Sequence, residues 1–559
     1  MDPEDLLENL DPEQRLAAES LVGPTCILAG AGTGKTRTVT HRIAYGIAKG
    51  YFAANRVLAL TYTNRAAGEL RARLRQLGVS GVSVKTFHAA ALAQLEFFWP
   101  QFAGVPAPAV LESKARLISQ VADGLKIRLD AGALRDIAAE IEWRKYSMLS
   151  MESYTELAKD RPKIAGLSVA KNLEIQERYE AAKAKAQKID WEDVLILTLG
   201  LLRAEPRALA HVQQQYRFFT VDEYQDISPL QHALLDAWLG SHSDLCVVGD
   251  PNQTIYSFTG ATSEYLQNFA SRFTDATVVQ LTTNYRSTGQ IVSFANRLTA
   301  QSSVVDPLQS ANAIGLAPRT LSFATTADEV SSVAAAIRGK IDQGVKPSDI
   351  AVLYRINGQS ELVENALAEQ GIDYQVRGGE RFFNRPEIQN AIRAIRAAAV
   401  VASDKSLFEL VAEICRSLGW QSQQPTEPGS NREKWESLNS LLAITEELPA
   451  DATLADMAKE LEERQRSQHE PIKAAVTLST VHAAKGLEWD YVFIIGLTEG
   501  YLPISYAKTD AELREEQRLL YVAITRARKE LTLSWSRADI HSSRDREPSR
   551  FLALLQPRI

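Results

Sequence analysis

The sequence predicts an α/β protein with two modules, each built on a parallel sheet and each carrying a mostly helical insertion. The first observation is that short apolar runs alternate with helical patterns along the 559 residues, which is typical of β-α units. The second is that the strand candidates form two groups, one in each half of the chain. The third is that stretches dominated by helix formers, 89–189 and 378–470, interrupt these groups.

The strand candidates share a length of four to seven residues and a content of β-branched and aromatic side chains, as expected of buried parallel strands. The first half contains CILA (26–29), VLALTY (57–62), FFTV (218–221) and LCVVGD (245–250). The second half contains IAVLYR (350–355), YVFIIGL (491–497) and ELTLSW (530–535). Inside the second insertion, QSQQPTEPGSNRE (421–433) predicts an exposed loop, and 456–470 predicts a solvated helix face.

Composition places the chain among ordinary globular proteins, with 45% apolar and 23% charged residues and length for about three or four compact units. The sequence has no run of eighteen apolar residues, and its acidic start is unlike a signal peptide. The three cysteines lack CxxC spacing, so we expect reduced core thiols, no structural zinc and a cytoplasmic location. A net charge of −7 means that any nucleic-acid binding needs a local groove.

The string FFTVDEYQD (218–226) ends an apolar strand in two adjacent carboxylates, Asp222 and Glu223. Acids at the mouth of a buried strand lose hydration, which costs free energy. A nearby cation or a role in proton transfer would explain why they are placed there. In a triphosphate hydrolase Asp222 would hold Mg²⁺, and Glu223 would orient and deprotonate the attacking water. The alternative is a strand end with two solvated acids.

The string CILAGAGTGKT (26–36) favours the hydrolase, because a glycine-rich turn that opens a helix presents backbone N–H groups to phosphate. Lys35 would reach the β- and γ-phosphates, and the Thr36 hydroxyl would ligate Mg²⁺. Ala29 stands where the usual G-x-x-x-x-G-K-[ST] pattern begins with glycine. The predicted cradle consists of Ala29, Gly30, Ala31, Gly32, Thr33, Gly34, Lys35 and Thr36.

A third polar string, VGDPNQTIYSFTG (248–260), follows a strand candidate. The Gln253 amide can hydrogen-bond both a γ-phosphate oxygen and the attacking water. Tyr256 and Phe258 are either core aromatics or base-stacking residues. Taken one at a time, Arg286 and Arg526 indicate only a surface charge or a salt-bridge partner, which is the usual role of an arginine.

Ten motifs occur in a fixed order, and together they resemble the series of superfamily 1A DNA helicases of the UvrD/Rep/PcrA family. They are AGAGTGKT, LTYTNRAAGEL, KTFHAA, VDEYQD, VGDPNQTIYSFTGA, LTTNYRST, VLYRINGQS, GGERFFNRPEI, STVHAAKGLEWD and EEQRLLYVAITRAR. The resemblance spans nearly the whole chain. The wording TFHAAALAQLEFFWP (86–100) is similar to a short actinobacterial UvrD paralogue.

This resemblance implies two RecA-like P-loop modules with insertions. Their expected boundaries are 1–88 and 190–288 for module 1A, 89–189 for insertion 1B, 289–377 and 471–559 for module 2A, and 378–470 for a shortened insertion 2B. The implied enzyme is a DNA-dependent ATPase and 3′–5′ DNA helicase that acts in repair or replication. The resemblance implies ATP and Mg²⁺ as ligands and single-stranded and 3′-tailed duplex DNA as partners, besides repair or replication proteins. We further expect no membrane association, a monomer or weak dimer, and a nucleoid-associated location.

The resemblance also assigns nucleotide contacts by position. Gln14 matches the adenine-recognition glutamine, Tyr285 should stack on the base, and Arg37 should flank it. Glu488 matches a residue near the ribose and triphosphate. Arg286 and Arg526 match two arginine fingers on the γ-phosphate, which the second module contributes and which are worth about 10³–10⁵ in rate where tested.

The predicted DNA contacts combine aromatic side chains that stack on bases with polar side chains that bind the phosphate backbone. They are Tyr62, Thr86, His88, Tyr256, Phe258, Arg355, Asn357 and His482. Tyr62 and Phe258 replace the family's frequent Phe and Trp and keep a stacking face, whereas Thr259 stands where an arginine is usual.

Two departures predict weak unwinding by the chain alone. Insertion 2B is short and has no clear G-I-G duplex-binding signature; RSLGW (416–420) is its nearest string. The hairpin segment 536–552 offers His541 and arginines where the family often presents an aromatic. One alternative is therefore a single-strand translocase that strips proteins from DNA. A catalytically silent scaffold is a third hypothesis, which the intact polar motifs argue against.

Overall fold

Parallel strands form the centre of both halves of the chain, as the apolar runs predict. The computed structural model describes residues 2–129, 131–159, 167–300, 305–377, 383, 385–399, 405–422, 435, 437–439, 441–442, 444–445, 448–449, 451–467, 475–538 and 545–556. Described residues up to Thr282, with Val305 and Asp306, form one unit, and the others form a second. The α/β fold class is thereby confirmed, and the four-part division remains a prediction.

The first unit contains a six-stranded, all-parallel sheet and one short strand pair. Its strands are β1 Thr25–Ala29, β2 Val57–Thr61, β3 Ser83–Thr86, β4 Ala109–Val110, β5 Lys188–Ile189, β6 Phe218–Val221, β7 Leu245–Gly249 and β8 Thr277–Leu281. The sheet order is β3-β2-β6-β7-β1-β8, and β4 pairs with β5. Both faces are buried: Leu58 and Leu60 belong to one core, whereas Val57 and Ala59 belong to the other.

The second unit repeats this plan with a six-stranded parallel sheet in the order β11-β16-β15-β12-β14-β13. Its strands are β9 Thr283–Asn284, β10 Gln309–Ser310, β11 Arg319–Thr325, β12 Ile350–Tyr354, β13 Tyr374–Arg377, β14 Val476–Thr480, β15 Trp489–Ile494 and β16 Ala527–Ala538. All five residues of β12 are buried, so this strand lies at the centre of its core.

Helices cover the faces of each sheet and form the insertions. Those of the first unit are Pro12–Glu19, Lys35–Ala48, Asn64–Gln76, Phe87–Ala103, Lys114–Gly124, Ala131–Tyr146, Met151–Leu157, Val169–Lys185, Trp191–Ala204, Pro206–Gln215, Pro229–Leu239, Glu264–Gln267 and Phe269–Arg272. Those of the second unit are Gly289–Thr299, Thr326–Asp342, Ser360–Glu369, Pro386–Ala398, Leu407–Ser417, Leu454–Ser467, Asp510–Ile524 and Phe551–Leu554. None of the helices in the described ranges combines the length and apolar character needed to cross a bilayer.

Both predicted insertion stretches are mostly helical where they are described. The expected boundary at residue 88 falls inside the helix Phe87–Ala103. The apolar side of this helix packs in the same core as β2 and β6, so the helix belongs with the first sheet. The first-insertion helices Lys114–Gly124, Ala131–Tyr146 and Val169–Lys185 share a small separate core around Ile137 and Ile175. Most of the predicted loop 421–433 and the hairpin residue His541 lie outside the described residues.

Trp238 anchors the packing beneath the first sheet. Its ring is fully buried, stacks 5.9 Å from the Phe87 ring centroid and donates from Nε1 to Gln94 Oε1 at 2.8 Å. Trp238→Ala is expected to lower the free energy of unfolding by about 3–5 kcal/mol, because it leaves a large cavity. Urea denaturation would measure the change, with Trp191→Ala as a control at a ring that is 48% exposed. Equal losses in the two variants would contradict this account of the core.

Candidate functional site

The predicted phosphate cradle forms a tight turn between β1 and the helix Lys35–Ala48. Gly32 and Gly34 have φ angles of 72° and 80°, a left-handed conformation that glycine adopts without strain. The helix begins directly after Gly34, so its first backbone N–H groups have no capping side chain at that position. Thr33 Oγ1 donates to Gly30 O at 2.9 Å and braces the turn. This geometry suits anion binding.

Gln14 lies against this turn. Its side chain is buried, and Nε2 donates to the Thr33 carbonyl at 3.0 Å. A Cβ atom on Gly34 would lie 2.7 Å from the Gln14 Nε2 atom, so a side chain there would displace the Gln14 amide from the turn. Arg37 donates from Nη2 to Asn9 O at 2.7 Å. Gln14 and Arg37 are thus beside the cradle, and their predicted contacts with adenine remain predictions.

The two predicted acids end β6 at the carboxyl edge of the first sheet. Asp222 is buried, and its Oδ1 accepts a hydrogen bond from the Glu223 backbone N–H at 2.9 Å. Glu223 has a φ of 55°, which is uncommon for a residue with a side chain. Such local strain is found at functional sites more often than elsewhere. The turn directs the chain sharply after the strand and leaves the Glu223 side chain half-buried.

Gln225 joins the acids to the next strand. Its Nε2 donates to Glu223 Oε2, and its Oε1 accepts from the Asp250 backbone N–H at 3.0 Å. A Cβ on Gly249 would lie 2.4 Å from Gln225 Oε1, so a side chain there would displace this bridge. These contacts make Gln225 a bridge between the 218–226 string and the 248–260 string within the first unit.

Asp250 follows β7 and connects three predicted catalytic side chains. Its Oδ2 accepts from Gln253 Nε2 at 2.7 Å. Burial raises the pKa of Asp250, whereas the positive charge of Lys35 opposes this rise and the negative charge of Glu223 adds to it. Lys35, Glu223 and Gln253 are therefore near neighbours of one buried carboxyl group. Their individual roles in catalysis remain predictions.

Thr36 and Asp222 are the predicted Mg²⁺ ligands. Thr36 lies in the first turn of the helix after β1, and Asp222 follows β6. Because parallel strands end at the same edge of a sheet, both residues belong to that edge. A hydroxyl and a carboxylate are hard oxygen donors, the type that Mg²⁺ prefers. The residues present therefore fit the predicted ion.

The predicted finger residues cluster within the second unit. Arg286 Nε lies 2.5 Å from Glu488 Oε2, and Arg286 Nη1 donates to Thr525 O at 3.2 Å. Arg526 is 2% exposed and donates from Nε to Val522 O at 2.9 Å and from Nη1 to Leu487 O at 3.1 Å. This unit thus brings together Arg286, Arg526 and Glu488.

Tyr285, the predicted base-stacking residue, precedes Arg286 at the end of β9. The residue is 46% exposed. Asn284 fixes the turn, because its Oδ1 accepts from the backbone N–H groups of Arg286 at 3.0 Å and Ser287 at 2.8 Å. This turn therefore holds the adjacent residues Tyr285 and Arg286 directly after β9.

Three predicted DNA-contacting aromatics form one group in the first unit. The Tyr62 and Tyr256 rings stack with centroids 5.7 Å apart and planes 12° apart. Tyr256 meets Phe258 edge to face at 6.0 Å. Tyr62 is 40% exposed and Phe258 is 53% exposed, so neither is a core residue. The exposure favours base stacking over the core alternative for Phe258.

His88 and Thr86 start the helix that follows β3. Thr86 Oγ1 accepts from the Ala89 N–H at 3.2 Å and caps the helix. His88 Nε2 lies 3.0 Å from the Tyr146 hydroxyl, and its ring meets the Trp191 ring edge to face at 6.0 Å. Burial and the charge of Lys114 lower the pKa of His88 to about 4, so it is neutral at pH 7. Any contact it makes with DNA is consequently uncharged.

Arg355, Asn357 and His482 lie in the second unit after β12 and β14. Arg355 forms a bidentate ion pair with the buried Glu516, with Nη2 2.8 Å from Oε1. The guanidinium of Arg355, which was predicted to contact DNA, is therefore already paired with a carboxylate. Burial and the charge of Arg355 lower the pKa of His482 to about 3. Asn357 is exposed at the start of a short 3₁₀ turn.

Sequence reasoning did not single out several residues that the structure connects to these groups. Asp250 was noted within its motif without a role. Tyr146 and Trp191 come from a helical stretch that carries no motif, although an exposed tryptophan at a helix start is a weak signal of binding. Glu516 is part of a recognised motif, but its pairing with Arg355 is a tertiary contact.

Comparison with known proteins gives the family. Residues 10–274 match the model of the UvrD/REP helicase N-terminal domain, and residues 279–428 and 420–538 match that of the UvrD-like helicase C-terminal domain. The ATP-dependent DNA helicase UvrD2 of Mycobacterium tuberculosis is 42% identical over 99% of this chain and 82% of its own length. The ATP-dependent DNA helicase PcrA of Leuconostoc citreum is 30% identical over 100% of this chain and 86% of its own.

These matches cover nearly all of the chain and contain the groups of predicted site residues described above in each unit. They also agree with the motif order and with the resemblance to an actinobacterial UvrD paralogue. The chain belongs to the UvrD-like family of helicases.

Proposed function

We propose that this UvrD-like helicase hydrolyses ATP when it is bound to single-stranded DNA, and uses each cycle to move 3′ to 5′ along the strand and open duplex DNA. One observation carries the proposal: the short segment 250–258 belongs to both sites. Its first residues, Asp250 and Gln253, contact the catalytic edge, and its last aromatics, Tyr256 and Phe258, belong to the exposed stacking group. In the proposal, this segment transmits a shift at one site to the other.

Hydrolysis in this proposal begins with water activation. Gln225 holds the Glu223 carboxylate, which takes a proton from the attacking water, and Gln253 orients that water and a γ-phosphate oxygen. The backbone N–H groups of the cradle and the Lys35 ammonium bind the β- and γ-phosphates. Mg²⁺ held by Thr36 and Asp222 would neutralise charge on the phosphate oxygens.

The second unit supplies the remaining positive charge in the proposal. Arg286 is paired with Glu488, so its guanidinium is held in place before nucleotide binds. Transfer of Arg286 from Glu488 to the γ-phosphate would stabilise the charge that develops in phosphoryl transfer. Tyr285 would stack on adenine from the same corner. Glu488 then becomes available for the ribose hydroxyls.

Grip on DNA in the proposal is independent of sequence. Aromatic stacking contributes about 1–3 kcal/mol per base and tolerates every base. Tyr62, Tyr256 and Phe258 present such faces, and the neutral His88 and His482 offer hydrogen bonds without charge. We propose that the enzyme works as a monomer or weak dimer on nucleoid DNA with a repair or replication partner.

A second candidate function is a translocase that removes proteins from DNA with little unwinding. Residues 536–550 contain no Phe, Tyr or Trp, so this segment has no aromatic wedge to separate base pairs. Opening one base-pair step costs about 1.4 kcal/mol of stacking on average. Without a wedge, movement on single strands would exceed strand separation.

Two assays on the purified chain test these functions. ATP turnover with and without oligo-dT tests the shared motor activity, and an absence of stimulation would exclude both functions. Unwinding of a 3′-tailed duplex, measured beside displacement of streptavidin from biotinylated single strands, separates them. We expect efficient displacement and slow unwinding; equal rates would remove support for the second candidate.

A further inference from the structure

The chain leaves the first unit after Thr282, and the Glu13 side chain binds this residue through both of its oxygens. Glu13 Oε2 accepts a hydrogen bond from the Thr282 backbone N–H, and Oε1 accepts one from the Thr282 hydroxyl, each at 2.6 Å. Both residues are half-buried. A carboxylate that receives two donors from one residue forms charge-assisted bonds and fixes the orientation of that residue. Thr282 is therefore attached to a side chain 269 positions earlier in the sequence.

Glu13 lies in the first turn of the helix Pro12–Glu19, directly before Gln14. Asp11 fixes this turn, because its Oδ1 accepts a hydrogen bond from the Gln14 backbone N–H at 2.8 Å. The Gln14 side chain donates to the Thr33 carbonyl in the phosphate cradle. One helical turn thus contacts the cradle through Gln14 and the end of the first unit through Glu13.

The first sheet also brings Thr282 close to the cradle. Leu281, the last residue of β8, pairs in register with Ala29, the last residue of β1. Ala29 begins the cradle, and Thr282 directly follows Leu281. The cradle and the end of the first unit therefore start from neighbouring strand ends at the same edge of the sheet.

The segment after Thr282 carries two of the predicted nucleotide contacts, Tyr285 and Arg286. Its first two residues form β9, which pairs with β10. Asn284 then fixes the following turn through the backbone N–H groups of Arg286 and Ser287. Because both the strand pair and the turn are hydrogen-bonded, little backbone freedom is left between Thr282 and Arg286. The orientation of Thr282 consequently affects the direction in which the segment continues.

A second described point at which the chain leaves the first unit is held in the same manner. Asp306 is the last residue of the first unit before β10, and its backbone N–H donates to Gln280 Oε1 at 3.0 Å. Gln280 belongs to β8, as does the residue that precedes Thr282. The strands β9 and β10 thus each follow a residue whose backbone N–H is bound by a side-chain oxygen of the first unit.

We propose that Glu13 is a positioning residue for ATP hydrolysis. Its carboxylate holds Thr282 and thereby sets the start of the segment that leads to Arg286. The inference rests on the proposed function, because it takes Arg286 to be a finger on the γ-phosphate. A finger residue stabilises the transition state only where its guanidinium is correctly placed, and a displacement of about 1 Å can cost about 10²-fold in rate.

Loss of this attachment should lower the turnover number and leave the choice of base unchanged. A hydrogen bond to a charged group corresponds to about ten- to hundredfold in an equilibrium between placed and displaced states. Stacking by Tyr285 tolerates every base, so a preference for ATP over GTP would report on the Gln14 amide, which can pair with the adenine N6/N7 edge. If Glu13 only supported its helical turn, its removal would disturb Gln14 and reduce this preference.

The test is a double-mutant cycle on ATP turnover in saturating oligo-dT. Glu13→Ala removes both acceptors and is expected to lower kcat by about ten- to hundredfold. Thr282→Val removes only the hydroxyl at nearly equal volume and is expected to lower kcat by about three- to tenfold. The double variant should match Glu13→Ala, because the two changes remove the same contact. Thr282→Ser keeps both donors and should turn over ATP like the unmodified protein.

Two controls distinguish positioning from a general disturbance of the helix. The ratio of kcat/KM for ATP to that for GTP should stay within about twofold of normal in every variant. Glu19→Ala makes the same change at the other end of the helix, in an exposed ion pair with Arg15, and should keep kcat within about threefold of normal. Melting temperatures check folding. If Glu13→Ala does not fold, the comparison of Thr282→Val with Thr282→Ser decides.

Three results would overturn the role of Glu13: normal kcat in the folded variants, a loss of kcat accompanied by a loss of the preference for ATP, or effects that multiply in the double variant. The unmodified protein separates this failure from that of the proposed function. If oligo-dT stimulates its ATP turnover, the function stands and the variants alone judge Glu13. If it hydrolyses ATP without stimulation, the function fails and the same cycle still judges Glu13. If it hydrolyses no ATP, both are rejected.

Discussion

Replacing Glu223 by glutamine is expected to reduce the turnover number for ATP by about 10²–10⁴-fold and to leave ATP affinity within about threefold of normal. Glutamine has nearly the same shape and can still accept the hydrogen bond from Gln225 Nε2. It cannot accept the proton of the attacking water. In the proposed site the cradle and Lys35 bind the phosphates, and the substitution leaves both intact.

Steady-state turnover in saturating oligo-dT, together with equilibrium binding of a fluorescent ATP analogue, measures both quantities. Glu264→Gln supplies the matched control, since it makes the same change at an exposed position of the same unit. Near-normal turnover in Glu223→Gln would reject this residue as the base. A parallel loss of nucleotide affinity would show instead that Glu223 maintains the site's structure.

Arg286→Ala is expected to lower the turnover number by about 10³–10⁵-fold, because it removes a positive charge from the phosphoryl transition state. Of the two predicted finger residues, Arg286 is the better one to replace. Arg526 is 2% exposed and bonded to main-chain oxygens, so its removal would also disturb folding. Arg286 donates to the main-chain oxygen of Thr525, and its partner Glu488 is exposed.

Arg528→Ala is the control for this prediction. Arg528 Nη1 lies 3.5 Å from Glu488 Oε1, so its removal changes the surroundings of Glu488 without touching Arg286. We expect its turnover to stay within about threefold of normal, as for an exposed ion pair. Similar losses in both variants would mean that the whole cluster, rather than the Arg286 charge, supports catalysis.

Much of the fold was predictable because parallel strands buried on both faces leave a strong sequence signal. FFTV (218–221) coincides with β6, and VLALTY (57–62) differs from β2 by one residue. The carboxyl edge of the first sheet was predictable for the same reason, since polar motifs directly follow these strands. ELTLSW (530–535) gave only the middle of β16, which extends over Ala527–Ala538.

The remaining contacts could not be predicted because they join residues that are distant in sequence. The pairing of Arg355 with Glu516 and that of Arg286 with Glu488 depend on how the second sheet aligns its strand ends. The two-residue strands β4 and β5 are too short to show a period. Thr259 was recognised as a departure from the family, but its hydrogen bond to the Tyr256 carbonyl needed the loop geometry.

Short structural links connect the proposed chemistry to the proposed DNA contacts. Gln225 ties Glu223, the proposed base, to Asp250, and the segment 250–258 continues from Asp250 to the stacking aromatics. In the proposed cycle, a change in nucleotide state would reach the proposed DNA-binding aromatics through these links. A motor built this way should move in one direction on single strands.

Displacement of streptavidin from either end of a single strand tests most simply whether ATP drives the chain in the 3′ to 5′ direction. The unmodified chain is given ATP and oligo-dT that carries biotin at the 5′ end or at the 3′ end, with Glu223→Gln as the inactive control. The account predicts ATP-dependent displacement that is much faster from the 5′ end, with none above background in the control. Displacement that is equal from both ends, faster from the 3′ end or independent of ATP would contradict a 3′–5′ motor.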